Sequence, residues 1–276
     1  VHDILLGNLD YSHDFNNGLG SLIVYVAGET TNRDHYTGIR PDIGTDEDQL
    51  HLLNPPYGTT LGATKQAGFQ LNYNFNKLFG SNLITVGNEY ISDYICDEIS
   101  TYNYFLNREV TNLGAFVQSD WNFNERLNLL SGLRFDKHSL LESVVIKPRF
   151  SLLYKFPERL QFRMSYSTGF RAPQAFDADL HMSFAGGGVS RILLDEGLKQ
   201  EDSRSLSASI NYDKATEDHI YGFTFEGFHT YLDDAFYQDN IGEDEFGEVF
   251  IKKNGSGATV RGVLLELRAN IDRIIQ

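Results

Sequence analysis

The feature that most constrains the fold is the alternation of apolar and polar residues in four segments between Leu127 and Tyr212. In the clearest segment, 160–170, every even position is apolar, aromatic or Thr, and every odd position is polar or Gly. Because successive side chains of a β-strand point to opposite faces, this segment has one apolar and one polar face. The polar face carries Gln161, Arg163 and two serines. This arrangement is typical of transmembrane β-barrels, whose strands are apolar towards lipid and polar towards the lumen.

Composition narrows the classes of function. The chain of 276 residues has no run of about 18 apolar residues, so we expect no membrane helix. Its mean hydropathy of −0.33 is compatible with a barrel, in which apolar residues alternate with polar ones. A net charge of −15 without a basic patch argues against nucleic acid as a partner. The single cysteine, Cys96, excludes an intramolecular disulfide and disfavours a cysteine-rich metal site.

The chain contains about twelve strand candidates, separated by two kinds of connection. The strands are predicted at 3–14, 20–32, 62–75, 83–97, 110–122, 127–138, 144–155, 159–170, 202–213, 219–233, 247–254 and 259–272. Short turns, predicted near 16–18, 76–80, 122–125, 155–158, 213–217 and 254–257, alternate with mostly longer polar loops, predicted at 33–61, 98–109, 139–143, 171–201 and 234–246. We therefore expect an up-and-down antiparallel sheet with all short turns at one end, as in outer-membrane barrels.

The facing of the side chains follows from the same alternation. We predict that the odd residues of 161–171 share the lumen face with Lys147 and Arg149, while Phe162 and Met164 face lipid. A charge at the lipid midplane costs about 2–4 kcal/mol, which keeps charges on one face. Aromatic residues recur beside the short turns and predict a girdle at the membrane boundary. They are Tyr73, Phe75, Trp121, Phe123, Tyr154, Phe156, Tyr212, Tyr221 and Phe223.

Several motifs resemble those of one family. The stretch Gly169-Phe170-Arg171-Ala172-Pro173 closely resembles the "GFRAP" signature of TonB-dependent outer-membrane receptors. Segments 112–121 and 132–136 are similar to paired central strands of that family, and 148–152 also matches. Segment 262–267 matches with one departure, since Leu264 stands where an acidic residue is usual. The order and spacing of these motifs make the resemblance specific.

The resemblance implies a fold and a location. Members of the family import iron chelates, haem, cobalamin or glycans through a barrel of about 22 strands closed by an N-terminal plug. We therefore expect an all-β, antiparallel, up-and-down transmembrane β-barrel in the outer membrane of a Gram-negative bacterium, in contact with lipid. We find no plug or TonB box before the first strand and no terminal aromatic strand at 275–276. Residues 1–276 are thus expected to be part of the barrel domain, with TonB reached through a plug outside this chain.

One predicted external loop, 33–61, carries acidic and aromatic candidates. Asp42, Asp46, Glu47 and Asp48 lie close together in it, and calcium prefers such oxygen ligands. The spacing lacks the EF-hand frame, so a solvated acidic loop remains the alternative. Three further residues of the loop are candidates for ligand contact. They are His35, His51 and Tyr57.

The loop at 171–201 and a second acidic loop complete the candidates. His181 and Phe184 are candidate ligand contacts, and a surface histidine without a ligand is the alternative for His181. Arg171 is expected to pair inward with a lumen carboxylate. A second acidic cluster comprises Asp239, Glu243, Asp244, Glu245 and Glu248. As for the first cluster, the two interpretations are a calcium site and a solvated acidic loop. No serine-histidine-aspartate or zinc spacing is evident, so we expect no enzyme and no cofactor other than calcium.

The 33–61 loop is long, acidic and aromatic-bearing, which favours a bulky, partly apolar ligand over a large neutral glycan. We therefore expect uptake of a metal chelate or corrinoid, in the iron chelate, haem or cobalamin class. Two alternatives remain open: a passive porin, and a soluble β-sandwich that binds carbohydrate. A sandwich would bury Phe162, Met164 and Tyr166 in a dry core between two sheets. A barrel leaves them on an exposed apolar face.

Overall fold

A computed structural model describes residues 2–76, 80–174, 191–216, 219–244 and 247–271. These residues form mainly long β-strands together with a helix, α1 (Asp46–Leu53). The strands are β1 (His2–Phe15), β2 (Gly20–Tyr36), β3 (Tyr57–Phe75), β4 (Ser81–Ile99), β5 (Tyr104–Asn122), β6 (Leu127–His138), β7 (Val145–Lys155), β8 (Leu160–Arg171), β9 (Arg191–Leu194), β10 (Glu201–Ala215), β11 (His219–Asp233), β12 (Phe236–Asp244), β13 (Gly247–Asn254) and β14 (Ala258–Ile271).

Eleven of the strands form one antiparallel sheet in the order β1-β2-β3-β4-β5-β6-β7-β8-β10-β11-β14. Each strand of this sheet pairs with the next strand of the chain, except that β9, β12 and β13 do not belong to the sheet. The predicted up-and-down sheet is therefore confirmed. These three strands form a second sheet in the order β12-β13-β9, in which β13 and β9 are parallel.

The second sheet corrects two predictions. Segment 247–254 was expected in the barrel wall, with 254–257 as a short turn to the next wall strand, but β13 pairs with β12 and β14 pairs with β11. The loop predicted at 171–201 is also interrupted by a strand, β9, which pairs in parallel with β13. The error arose because β12 is polar and acidic, without the alternation that indicates a wall strand.

The loop at 98–109 was also predicted too long. Strands β4 and β5 continue to Ile99 and Tyr104, so only 100–103 connect them. Strands β2 to β5 have 17 to 19 residues each, whereas about 9–11 residues cross a bilayer. They are therefore several residues longer than a membrane crossing requires, at the end opposite the short turns. Outside lipid neither face must be apolar, so alternation does not indicate where such strands end.

The register confirms the predicted facing. Arg149 of β7 lies opposite Ser167 of β8, which places the odd residues of β8 on the same face as Arg149 and Lys147. On the other face, Met164 is 41% exposed and Val263 is 77% exposed. No second sheet of the described residues covers this apolar face, so the dry core of a β-sandwich is absent from the described chain.

The aromatic residues at the short-turn end form contacting pairs on the apolar face. Ring centroids lie 4.7 Å apart in Tyr73–Phe75 and Trp121–Phe123, 4.6 Å apart in Tyr154–Phe156, and 5.9 Å apart in Tyr212–Phe223. Because each pair sits where strands meet a short turn, the predicted girdle is present along this edge.

No helix among the described residues is long and apolar enough to cross a membrane.

Candidate functional site

Three aromatic rings meet at the external ends of β2 and β3. The Tyr36 ring lies 5.4 Å from that of Tyr57, its partner across the strand pair, and 5.8 Å from that of His51, measured between centroids. The Tyr36 hydroxyl also contacts Nε2 of His51, which lies on α1. Thr37 closes the loop by donating to the Pro56 carbonyl from its backbone N–H (3.0 Å) and its hydroxyl (3.1 Å). The structure thus brings together the predicted His51 and Tyr57.

Tyr36 was missed by the sequence analysis, which ended the strand at residue 32. Its pairing with Tyr57 depends on the register of two strands beyond the membrane, where alternation is weak. Tyr57 itself is 65% exposed, so its ring is available to a ligand. We refer to Tyr36, His51 and Tyr57 as the mouth cluster.

His35 is separated from the mouth cluster because adjacent strand residues face opposite ways. Its imidazole lies across Gly58 on the lumen face, where an added β-carbon would be 2.5 Å from His35 Nε2 and 2.8 Å from Ile99 Cγ1. His35 Nδ1 is buried without a hydrogen-bond partner, as are Nε of Arg33 and Oη of Tyr104. Buried polar atoms usually have partners, so this part of the lumen wall has unused hydrogen-bonding capacity.

The acidic residues of the first loop fold into the start of α1. Thr45 caps the helix by accepting from the Asp48 N–H at 3.1 Å. The Asp48 carboxylate, with its side chain 4% exposed, accepts from Arg40 Nε at 2.7 Å and from the Gly44 N–H at 3.0 Å. The hydrogen bond from Arg40, followed by that from the Gly44 N–H, lowers the pKa of Asp48 below its usual value. The Thr-x-x-Asp spacing of a helix N-terminus was a signal in the sequence for this structural role.

The predicted calcium ligands are not gathered around one point. Asp42, Asp46 and Glu47 are exposed, whereas Asp48 is occupied by Arg40. Within the described ranges, no group of three or more His, Cys, Asp or Glu residues is arranged to hold a metal. Calcium binding by this loop therefore stays a prediction.

A polar network crosses the lumen face of β2 to β6, centred on Glu89. The Tyr25 hydroxyl donates to Glu89 at 2.8 Å, and Gln66 Nε2 donates to the same carboxylate oxygen at 2.7 Å. Arg134 reaches Glu89 from the other side at 3.5 Å. The sequence could not identify these partners, because their contact requires the register of four strand pairs.

The family-like motif 169–173 lies at the end of β8, where it joins the wall to the second sheet. Arg171 forms an ion pair with Glu201 at 3.8 Å, which confirms the expected inward pairing, and it lies 5.2 Å from the ring centroid of Phe236. Glu201 accepts from the Phe236 N–H at 2.8 Å. Lys252 lies over the same ring at 4.8 Å and donates to the Gln174 carbonyl. These contacts anchor the external sheet on the barrel wall.

The structure describes only some of the remaining candidates. His181 and Phe184 lie outside the described residues, as does Glu245. In the second acidic cluster, Asp239 pairs with Lys253 at 3.2 Å and Glu248 accepts from Asn240 at 3.1 Å.

Comparison with known proteins places this geometry in context. Residues 2–274 match the family described as "TonB dependent receptor-like, beta-barrel". No curated protein sequence matches the chain.

Solved structures share the fold at low sequence identity. The siderophore receptor PirA from Pseudomonas aeruginosa has 15% identity and a TM-score of 0.71, over 96% of this chain and 47% of PirA. A variant of the ferric enterobactin receptor PfeA from the same organism, in complex with enterobactin, has 16% identity and a TM-score of 0.70, over 95% and 41%. A variant of the Serratia marcescens hemophore receptor HasR, in complex with its hemophore HasA and heme, has 15% identity and a TM-score of 0.67, over 97% and 46%. The chain spans less than half the length of each.

Proposed function

This chain belongs to the TonB-dependent receptor β-barrel family, and from that premise we propose that it forms part of the wall and external ligand-binding surface of a receptor for scarce nutrients. The nutrient is an iron chelate, haem or a cobalamin-type corrinoid. Support for this class comes from the similar structures, which are a siderophore receptor, a ferric enterobactin receptor in complex with enterobactin, and a hemophore receptor in complex with heme. The receptor resides in the Gram-negative outer membrane and is energised by TonB through a plug domain.

The observation that carries the proposal is the mouth cluster at the external ends of β2 and β3. Aromatic rings with polar edges bind ligands that are bulky and partly apolar, as metal chelates and corrinoids are. His35, on the opposite, lumen face of the same strand, is a second candidate for ligand contact, separate from the mouth cluster. His181 and Phe184 remain candidates from the sequence alone. A calcium ion ordering the first loop would draw on the exposed carboxylates of Asp42, Asp46 and Glu47.

A panel of ligands tests the proposal. Calorimetric titration of the full-length receptor in detergent with haem, cobalamin and ferric siderophores, each with and without calcium, is expected to show nanomolar binding of one of them. Cells carrying the receptor should accumulate that ligand only when TonB is present. Ion conductance without binding of any ligand would support the porin instead, and tight binding of an oligosaccharide alone would contradict the ligand class.

A matched pair of variants tests the site. Y57A is expected to weaken binding about tenfold or more, which corresponds to about 1.4 kcal/mol. The control is I43A, which removes a side chain that is 82% exposed in the same loop and outside the mouth cluster. Equal affinity of Y57A and wild type would remove the mouth cluster from the ligand site.

A further inference from the structure

Lysine and arginine side chains on the apolar face of the wall lie at two levels only. The strand register and the alternation of side chains place five of them on this face along the described strands. Lys214 lies at the short-turn end, over the ring of Tyr221. The other four lie towards the external end and are exposed. We call them the cation row, and they are Lys65 of β3, Lys137 of β6, Arg204 of β10 and Arg261 of β14.

The cation row lies at one distance from the aromatic girdle. Each member is eight residues along its strand from a girdle residue or from a residue paired with one. The reference residues are Tyr73 for Lys65, Leu129 (opposite Trp121) for Lys137, Tyr212 for Arg204, and Ala269 (opposite Tyr221) for Arg261. Eight residues of strand span about 26 Å, which at a tilt of about 40° is about 20 Å along the membrane normal. Since the apolar band of a barrel is about 25 Å tall, the row lies near its external boundary.

Charges on the apolar face are ordered by depth. In each of the four strands, the three residues of this face between the girdle and the cation row are neutral, as are Leu206, Ala208 and Ile210 of β10. Carboxylates of this face lie further out, and along the described strands none is closer than ten residues to the girdle by the same count. Asp233, for example, is ten residues from Phe223. At the external end, the cations are therefore the charged groups nearest to the apolar band.

Lys65 has no counter-charge within the sheet. Both strands beside β3 are described, and neither offers Lys65 a hydrogen bond or an ion pair. Gly28 of β2 and Ser92 of β4 lie opposite it, and the Ser92 hydroxyl donates to Glu109 at 2.9 Å. Because these flanking residues are small, a headgroup can reach the ammonium group from the lipid side.

Two further members of the cation row lack a carboxylate within the described ranges. Arg261 has no hydrogen-bond or ion-pair partner there. Lys137 donates to the carbonyls of Leu141 at 3.0 Å and Glu142 at 2.7 Å, which leaves its charge uncompensated. Arg204 differs, because it pairs with Asp233. Three of the four cations are thus without a carboxylate, although the chain has a net charge of −15.

We propose that the cation row binds the phosphate groups of lipids in the external leaflet. The position identifies the occupant, because the row lies on the lipid side near the headgroup level, where long lysine and arginine side chains carry their charge outward. Ammonium and guanidinium groups form charge-assisted hydrogen bonds with phosphate oxygens. The carboxylates beyond the row repel phosphate and so confine it to the depth of the row. The proposal rests on the proposed function only for the location in an outer membrane.

Lipid binding by the full-length receptor in detergent tests the proposal. The probes are phosphatidic acid and a diacylglycerol with the same acyl chains, which differ only in the phosphate. Native mass spectrometry measures the affinity of each. The test variant is K65Q/R261Q, and K65Q alone carries the comparison if the double variant does not fold. The control is R163Q, which removes an exposed arginine from the lumen face of β8, and K65R/R261K keeps both charges.

Wild type, R163Q and K65R/R261K are expected to bind phosphatidic acid alike and more tightly than diacylglycerol. K65Q/R261Q is expected to bind phosphatidic acid about tenfold more weakly or worse. Equal affinity of K65Q/R261Q and wild type would overturn the proposal, as would an equal loss in R163Q. Diacylglycerol bound as tightly as phosphatidic acid would also overturn it. The readout needs neither a transported ligand nor TonB, so it is independent of the uptake assays that test the proposed function.

Discussion

The guanidinium of Arg134 lies 2.9 Å from the carboxylate of Asp136, two residues further along the same strand. Residues two apart on a strand share a face, so the pair lies flat along the lumen wall. It does so by crossing Gly114 of β5, where an added β-carbon would be 2.4 Å from Arg134 Nη2 and 2.9 Å from Asp136 Oδ1. The Asp136 side chain is only 2% exposed, and its carboxylate also accepts from Asn112 Nδ2 at 2.9 Å.

G114A is therefore expected to destabilise the receptor. The added methyl group displaces Arg134 from Asp136 and leaves a buried carboxylate with one partner fewer, which costs about 1–3 kcal/mol. Thermal unfolding of the detergent-solubilised receptor measures the loss. The matched control is G28A, because a β-carbon at Gly28 meets only an ordinary contact of 3.7 Å. Equal unfolding temperatures for the two variants would contradict the role given to Gly114.

The contact between Arg40 and Asp48 makes the start of α1 sensitive to acid. In the folded receptor the pKa of Asp48 is lowered. The contact with Arg40 therefore stabilises α1 fully above the ordinary carboxyl pKa of about 4, and this stabilisation is lost as pH falls through the lowered pKa. A nitroxide at Leu53, on the last turn of α1, should become more mobile over that window. D48N should be mobile at neutral pH already, and the control E47Q should behave as wild type. Equal mobility of wild type and D48N at neutral pH would count against the contact.

Trp121 provides a test of the aromatic girdle. Its ring packs on Phe123 with 4.7 Å between centroids, beside a short turn on the apolar face. The difference in fluorescence between wild type and W121F isolates its emission. In liposomes this emission should be quenched more strongly by lipids brominated near the headgroup than by lipids brominated near the chain end. The reverse order of quenching would place Trp121 near the bilayer centre and remove the girdle.

Sequence reasoning was most accurate where lipid imposes alternation. The predicted 127–138 coincides with β6, and the predicted 159–170 differs from β8 by one residue at each end. It was least accurate outside the membrane, where β2 continues to Tyr36 and β12 has no alternation at all. In those regions polar residues occupy both faces, so the sequence contains no periodic signal for strand ends.

The candidate site could be predicted only in part for a related reason. His51 and Tyr57 were identified as residue types in a loop, but Tyr36 required the register between β2 and β3. The partners of Glu89 come from three other strands, at sequence separations that no local pattern encodes. The cap at Thr45 was not predicted either, although its spacing to Asp48 is local and could have indicated it.

The central claim is that this chain is a membrane-spanning barrel wall with a lumen face. It is tested by attaching a nitroxide to each residue of 161–168 in turn and measuring how accessible each nitroxide is to oxygen. The full-length receptor in liposomes, with Cys96 replaced by alanine, takes one label at a time. Labels at even positions such as Met164 should be reached by oxygen dissolved in lipid, and labels at odd positions such as Ser165 should not, giving a period of two residues. Uniformly low accessibility at both sets of positions, as in a packed protein core, would contradict the account.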